Sequence, residues 1–236
     1  MPPMRVLLFG ATGMVGQGVL RECLLAPDVE SVTTVGRTST WTSHPKLQDL
    51  VRPDVFDLSG LEAQSAGLDA CFFCLGVSSA GMKEDSYRRV THDLTLAVAQ
   101  TLVRLNPRMT FIYVSGAGTD SSERGRSMWA RVKGQTENAL LRLPFKAVCM
   151  FRPGLIVPLH GARSKTRFVR VTYILTRPIL PLLQLLLPSY VTTTEKVGRA
   201  MLRVAREGAP KPVLETRDIN ALSRPSSSPP APPRRR

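Results

Sequence analysis

Acidic residues are scarce in this sequence. The chain has 236 residues, with 18 aspartates and glutamates against 32 lysines and arginines, and its formal net charge is +14. Four of the arginines lie in residues 223–236, a Pro/Ser/Arg tail whose composition predicts disorder, so most of the excess charge belongs to the folded part. No acidic residue occurs between Glu137 and Glu195, whereas eight lysines and arginines do. This basic stretch favours an anionic substrate or an anionic membrane surface as a partner.

The sequence also lacks the residue patterns of several protein classes. Its four cysteines are too few for a disulfide scaffold and suit a reducing compartment, and its three histidines show no metal-ligand spacing, so we expect no metal site. Cys71 and Cys74 lie within one apolar strand without a helix start to activate a thiol, and we expect both to be core residues. No recognition helix, zinc finger or aromatic platform indicates a specific nucleic-acid partner, although the charge predicts nonspecific phosphate affinity.

Uninterrupted apolar runs of membrane-spanning length are missing as well. Residues 1–20 contain four glycines and no small-residue cleavage site follows them, which argues against a signal peptide. The apolar run at residues 171–188 contains Arg177, Gln184 and three prolines. Its helical spacing predicts one or two kinked helices that form a substrate lid or a homodimer contact. Contact with a membrane surface and a true spanning helix are the alternatives.

Short apolar runs alternate with longer helical patterns along most of the chain. This alternation predicts an α/β fold with a doubly wound parallel sheet of the Rossmann type. We divide the chain into a Rossmann core at residues 1–155, a small, mostly helical C-terminal substrate region at 156–222, and the tail. The predicted strands span residues 4–9, 31–35, 50–55, 70–75, 109–114 and 147–151. The first predicted helix ends near residue 25, and the others span residues 86–105, 127–143 and 193–207.

A glycine-rich turn follows the first predicted strand and opens a helix. Glycines in such a turn adopt dihedral angles closed to other residues and let backbone amides approach a pyrophosphate, and the helix N-terminus favours the anion. The position directly after an N-terminal apolar strand makes this pattern a strong indication of nucleotide binding, and a merely structural tight turn is the alternative. The predicted contacts are Gly10, Thr12, Gly13, Met14, Val15 and Gly16.

Arg37 follows the second predicted strand, where an NAD-selective fold carries an acid for the ribose 2′-hydroxyl. The first acidic residue after this position is Asp49. Because a guanidinium binds a 2′-phosphate with paired charge-assisted hydrogen bonds, Arg37 favours NADP over NAD. A solvent-facing loop arginine is the alternative. Asp57 and Leu58 are suitably spaced to contact the adenine amino group, although Asp57 is equally suited to cap the next helix.

Four segments together resemble the atypical or extended short-chain dehydrogenase/reductase family, in its NAD-dependent epimerase/dehydratase-like branch. They are GATGMVG at 10–16, CLG at 74–76, YVSGAG at 113–118, and ARVKGQTEN through FRPG at 130–154, within a likeness that covers roughly residues 4–222. The resemblance implies a Rossmann fold and a bound nicotinamide dinucleotide, with Gly76 leaving room for it. It also implies cofactor contacts from Leu75, Arg152, Pro153 and Gly154, for which a structural Pro-Gly turn is the alternative.

The resemblance also implies a serine after the fifth strand and a Tyr-x-x-x-Lys pair on the next helix. Ser115 matches the serine and Lys133 the lysine, but Trp129 stands at the tyrosine position. The indole N–H does not titrate in water, so Trp129 cannot replace the phenol as acid or base, and we expect it to line the substrate pocket. Tyr113 is expected in the core, and Tyr87 is the candidate for the wall of the cleft.

We therefore expect an NADP-binding, cytoplasmic oxidoreductase or epimerase-like enzyme for a small carbonyl or alcohol substrate. Ser115 polarises the substrate oxygen and Lys133 holds the nicotinamide ribose in this hypothesis. The alternative is a noncatalytic NADP-binding regulator or scaffold, attached to a membrane surface through residues 163–188.

Overall fold

The central strands form where the chain is apolar on both faces. Val6, Leu7 and Leu8 are fully buried, and so are all four residues of the strand Ala70–Phe73. Strands of this kind belong in the middle of a parallel sheet that helices cover on both sides.

A computed structural model describes residues 3–56, 66–162 and 189–224. In these ranges seven parallel strands form one sheet in the order β3-β2-β1-β4-β5-β6-β9, and β7 and β8 form a separate parallel pair. The sheet confirms the predicted doubly wound Rossmann fold. The strands are β1 (Met4–Phe9), β2 (Val29–Gly36), β3 (Leu47–Val51), β4 (Ala70–Phe73), β5 (Thr110–Val114), β6 (Ala147–Arg152), β7 (Leu155–Val157), β8 (Val191–Thr193) and β9 (Val213–Glu215).

Helices cover the two faces of the sheet through separate apolar clusters. On one face, α1 (Met14–Leu25), α5 (Thr194–Glu207) and α6 (Thr216–Leu222) pack in the first cluster. On the other face, α3 (Leu94–Leu105) and α4 (Met128–Leu141) pack in the second. A short helix α2 (Glu84–Arg88) leads into α3 through the π-helical turn Arg89–Asp93.

Several predicted element boundaries differ from the structure, and three of these differences change the element. The third strand spans Leu47–Val51 rather than residues 50–55, because Pro53 has no N–H to continue a ladder. The strand at 70–75 ends at Phe73. The helix predicted for residues 86–105 begins two residues earlier and is interrupted by the π-helical turn, which apolar spacing does not reveal.

The C-terminal elements complete the Rossmann core. Thr193 caps α5 by accepting a hydrogen bond from the Lys196 amide (3.1 Å), and Gly208, at φ +84°, ends the helix, as its sequence predicts. α5 packs closely on α1, since a Cβ on Gly18 would lie 2.5 Å from the Thr194 Cβ. Strand β9 adds to the edge of the main sheet beside β6. The predicted domain division at residue 155 stays a prediction.

Several predictions lie outside the described residues. They concern the cofactor contacts Asp57 and Leu58, the basic apolar stretch at 163–188 and the tail from 225 onward. Within the described ranges, no helix combines the length and the apolar character that crossing a bilayer requires.

Candidate dinucleotide and substrate site

The strand order reverses between β1 and β4, and ligands bind at such a switch point in doubly wound sheets. At the carboxyl ends of β1, β2 and β4 lies a cleft of about 350 Å³. It brings together six of the predicted cofactor residues, which come from three separate parts of the sequence. The cleft is lined by Gly10, Thr12, Gly13, Gly36, Arg37, Thr38, Cys74, Leu75 and Gly76.

The glycine turn has the geometry that a pyrophosphate cradle requires. Gly10 has φ +79°, and a Cβ there would lie 2.6 Å from the Leu75 amide nitrogen. A Cβ on Gly16 would overlap the Gly10 carbonyl oxygen. The Gly13 amide donates to that same oxygen (2.9 Å), and Gly13 is the N-cap of α1, so the helix N-terminus opens at the cleft, with Met14 and Val15 in its first turn. This backbone fits a dinucleotide phosphate group.

Arg37 is exposed at the rim of the cleft, directly after β2. No carboxylate of residues 3–56, 66–162 or 189–224 pairs with its guanidinium. The neighbouring side chain of Thr38 is also exposed. A cation with this freedom, beside a phosphate cradle, can bind a further phosphate oxygen.

The predicted catalytic Ser115 lies at the carboxyl end of β5, but its hydroxyl is already engaged. Ser115 Oγ donates to Glu137 Oε1 (2.5 Å) and lies 3.2 Å from the Phe151 carbonyl oxygen. Glu137, 1% exposed, also accepts hydrogen bonds from Arg152 Nε at 3.0 and 3.2 Å and from Arg152 Nη2. Hydrogen bonding to Glu137 outweighs burial and raises the pKa of Arg152. Sequence reasoning missed Glu137, although it lies one helical turn after Lys133 on the same face of α4.

Arg152 is the centre of a polar cluster rather than a wall of the cleft. Its guanidinium also donates to Ser121 Oγ (2.5 Å) and lies 3.5 Å from Glu215. Pro153 and Gly154 hold the chain beyond β6, since the Pro153 carbonyl accepts from the Ala117 amide and the Gly154 amide donates to Thr216 Oγ1. These contacts give the Pro-Gly turn a structural role, and the cofactor contacts of Arg152, Pro153 and Gly154 stay a prediction.

Lys133 reaches the end of β5 from α4. Its Nζ donates to the Ser115 carbonyl oxygen, lies 3.5 Å from that of Val114, and lies 5.8 Å from the centroid of the Tyr113 ring. Burial lowers the pKa of Lys133 to about 8, although the Glu137 carboxylate opposes this shift. The ammonium is therefore fixed close to Ser115.

Trp129 lies one turn before Lys133 on α4 and is partly buried. Its ring atoms come within 3.5 Å of the position of a Cβ on Gly118, in the loop after β5. The indole thus packs against the loop that begins at Ser115. Where the family pattern has a phenol, this chain has an apolar ring with a single N–H donor.

The two candidate tyrosines are both interior. Tyr113 is 1% exposed, which confirms its expected place in the core, and burial raises its pKa far above the ordinary value. Tyr87 is also 1% exposed, so the expectation that it faces the cleft is wrong. The sequence places Tyr87 at the start of an amphipathic pattern, but this pattern does not show whether the side chain faces the core or the cleft. Cys71 is buried and burial raises its pKa, in keeping with a core thiol. Cys74 is only partly buried and lines the cleft beyond the end of β4, so the expectation that it is a core residue of the strand is wrong.

Curated proteins with similar sequences include several from fungi and the protein HTATIP2 of Rattus norvegicus. The chain is 31% identical over 156 residues to the mitochondrial protein FMP52 of Eremothecium gossypii, and the matched region covers 65% of this chain and 67% of that protein. It is 28% identical over 222 residues to the mitochondrial protein fmp52-2 of Aspergillus oryzae, and this match covers 92% of this chain and 96% of that protein. No protein-family model matches the chain.

Solved structures share the fold at low sequence identity. The reductase domain of PhqB from Penicillium fellutanum superposes with a TM-score of 0.65 at 18% identity, over 91% of this chain and 67% of that one. The Bordetella bronchiseptica enzyme WbmF, solved in complex with NAD⁺, superposes with a TM-score of 0.65 at 16% identity, over 93% of this chain and 77% of that one.

These comparisons correct one expectation and confirm another. The FMP52 relatives are named as mitochondrial proteins, so the prediction of a cytoplasmic location is wrong; it rested only on cysteine content and on an N-terminus unlike a secretory signal. The resemblance drawn from the four sequence segments is confirmed. The chain belongs to the family of the FMP52 proteins.

Proposed function

We propose that this protein is an NADP-dependent oxidoreductase or epimerase-like enzyme that acts on a small carbonyl or alcohol substrate without the usual catalytic tyrosine. The observation that carries the proposal is the cleft in which the Gly10–Gly13 turn meets the exposed guanidinium of Arg37, which pairs with no carboxylate of the described residues. A phosphate cradle with an exposed guanidinium at its ribose end suits a dinucleotide that carries a 2′-phosphate.

Each part of the site has a binding role in this proposal. Gly10, Gly13 and Gly16 admit the pyrophosphate to the N-terminus of α1, and Gly76, whose Cβ position is free of neighbours within 4 Å, leaves room over β4. Arg37 binds the 2′-phosphate. Lys133 donates to the ribose of the nicotinamide half, for which its ammonium has to exchange or share its bond to the Ser115 carbonyl.

The substrate end lies between Ser115, Lys133 and Trp129. The bound nicotinamide supplies or accepts hydride at the substrate carbon. Ser115 polarises the substrate oxygen only when its hydroxyl hydrogen turns away from Glu137, because a hydroxyl has one hydrogen to donate. Trp129 closes the pocket with an apolar ring, and the proton that a phenol would carry comes from water.

The second candidate is a noncatalytic NADP-binding regulator. Two observations favour it: Trp129 stands at the tyrosine position, and the Ser115 hydroxyl already donates to a buried carboxylate. Neither Trp129 nor Ser115 lines the cofactor cleft, so both features are compatible with cofactor binding. The two candidates therefore share cofactor binding and differ only in turnover.

Fluorescence titration with NADPH and NADH tests the shared claim. Binding of neither dinucleotide rejects both candidates. A panel of small aldehydes, ketones and alcohols, run on the wild type, Ser115→Ala and Trp129→Tyr, separates them. The enzyme proposal expects turnover that falls in Ser115→Ala and rises in Trp129→Tyr. Turnover that does not respond to Ser115→Ala removes the proposed role of that hydroxyl, and NADPH binding without turnover favours the regulator.

A mitochondrial location is also part of the proposal, by analogy with the FMP52 relatives. The net charge of +14 suits anionic partners in that compartment, either a substrate or a lipid surface. Fractionation of cells that express the tagged full chain tests this, and recovery in the cytosolic fraction contradicts it.

A further inference from the structure

We propose that Asp49 is a positioning residue for NADP selectivity, because it holds the loop of residues 37–42, here called the Arg37 loop, in the shape that presents Arg37 to the cofactor cleft. The inference rests on the proposed NADP site and adds a residue that lies on another strand. Asp49 is on β3, directly opposite Thr34 of β2 in the sheet register.

The Asp49 carboxylate is the hub of the Arg37 loop. Its Oδ1 accepts from the hydroxyl of Thr34. Its Oδ2 accepts from Ser39 Oγ (2.7 Å), the Thr40 amide (2.9 Å) and Thr40 Oγ1 (2.9 Å). Four donors on two oxygens tie the loop to the sheet immediately after Arg37 and Thr38.

The Arg37 loop needs such an anchor because it has little else to fix it. Trp41 in this loop is 90% exposed and has φ +57°, a backbone conformation that non-glycine residues rarely adopt. Among the described residues, the other bonds within the loop are short-range: Trp41 N donates to Ser39 Oγ (3.0 Å), Thr42 N to Thr40 Oγ1 (3.4 Å) and Thr42 Oγ1 to the Thr40 carbonyl oxygen (3.4 Å). The two hydroxyls that accept from Trp41 N and Thr42 N also donate to Asp49. Removal of the carboxylate therefore loosens both of these bonds as well.

Asp49 is also unsuited to the role that an acid near β2 has in NAD-selective folds. Its Oδ1 already accepts from Thr34 of β2 and its Oδ2 from the Arg37 loop, so neither oxygen is available to ribose hydroxyls. Burial by itself would raise the pKa of Asp49, but the hydrogen bonds from Thr34, Ser39 and Thr40 outweigh burial and lower the pKa. The anchor is thus anionic at neutral pH, and the first acid after β2 supports the cation instead of replacing it.

The test compares dissociation constants for NADPH and NADH in the wild type, Asp49→Ala, Arg37→Ala and the double variant. If Asp49→Ala leaves the loop in its binding shape about one-tenth to one-fifth of the time, NADPH binds roughly 5- to 10-fold more weakly while NADH changes less than about 2-fold. In the Arg37→Ala background, Asp49→Ala causes no further loss of NADPH affinity, because the anchor acts only through Arg37.

Asp120→Ala is the matched control. Asp120 anchors a different loop in the same manner, accepting from the Ser122 amide (3.0 Å), Ser122 Oγ (2.6 Å) and the Gly125 amide (2.6 Å). Its loss leaves the ratio of NADPH to NADH affinity unchanged. Should Asp49→Ala not fold, Ser39→Ala combined with Thr40→Val removes the loop-side hydroxyl donors and keeps the carboxylate.

Equal losses for NADPH and NADH in Asp49→Ala overturn the inference, and so do additive losses in the double variant. Both results leave the proposed function standing, provided that the wild type binds NADPH and Arg37→Ala weakens it. A wild type that binds neither dinucleotide rejects the proposed function itself, and the inference with it.

Discussion

Replacement of Glu137 by glutamine tests whether the buried carboxylate organises the end of β5. The Glu137 side chain is 1% exposed in its ion pair, and it accepts from Ser115 and from two nitrogens of Arg152. In Glu137→Gln one oxygen remains for Ser115, but the new amide donor faces the donors of Arg152. Loss of one charge-assisted interaction and of a buried ion pair costs about 2–3 kcal/mol of unfolding free energy. This loss is small for a broken buried ion pair because Arg152 keeps Ser121 and Glu215 as partners.

Urea unfolding and thermal melting measure this loss. For a chain of this size, about 2–3 kcal/mol lowers the Tm by roughly 4–12 °C. Glu207→Gln is the matched control, because Glu207 makes a comparable contact with Arg203 (2.9 Å) at the surface of α5, where such a pair contributes about 0.5 kcal/mol or less. If the two variants lose the same stability, Glu137 does not organise the site and its pairing with Arg152 carries no special weight.

Three further predictions follow from the described residues. Gly16→Ala places a Cβ on the Gly10 carbonyl oxygen, so we expect loss of NADPH binding in fluorescence titration and a lower Tm. Thr193→Ala removes the cap of α5 and should cost about 1 kcal/mol in urea unfolding, with NADPH affinity unchanged. Burial lowers the pKa of Lys133 from 10.5 to about 8 in the folded protein, so the unfolded chain binds more protons between these pH values and stability from this group rises with pH. Relative to Lys133→Met, the wild type should therefore gain at most about 3 kcal/mol from pH 8 to 10.5, measured by urea unfolding at each pH.

Sequence patterns predicted those features of the fold that depend on residues close together in the chain. The buried strands follow from continuous apolar runs, the turn at Gly10 from the glycine spacing directly after the first apolar strand, and the ends of α5 from Thr193 and Gly208. In each case the residues concerned are neighbours in sequence or repeat a known spacing. Interactions within a few residues therefore determine these strands, this turn and these helix ends.

The parts that were missed depend on partners distant in sequence. The sequence predicts that Ser115 faces a substrate, but its hydroxyl donates to Glu137 of α4, which in turn pairs with Arg152 of β6. The four-residue spacing of Trp129, Lys133 and Glu137 was a usable signal, since it places all three on one face of α4. Asp49 was noted only as the first acid after Arg37. Its contacts with Ser39 and Thr40 require the β2–β3 register, which the sequence does not specify.

Calorimetric titration of the purified chain with NADPH and NADH tests the central claim most directly. We expect saturable binding of one NADPH for each chain, roughly 10-fold or more tighter than NADH, because Arg37 adds charge-assisted hydrogen bonds to the 2′-phosphate. We also expect Arg37→Ala to bring the two affinities together. No measurable heat with either dinucleotide, or tighter binding of NADH by the wild type, would contradict the account.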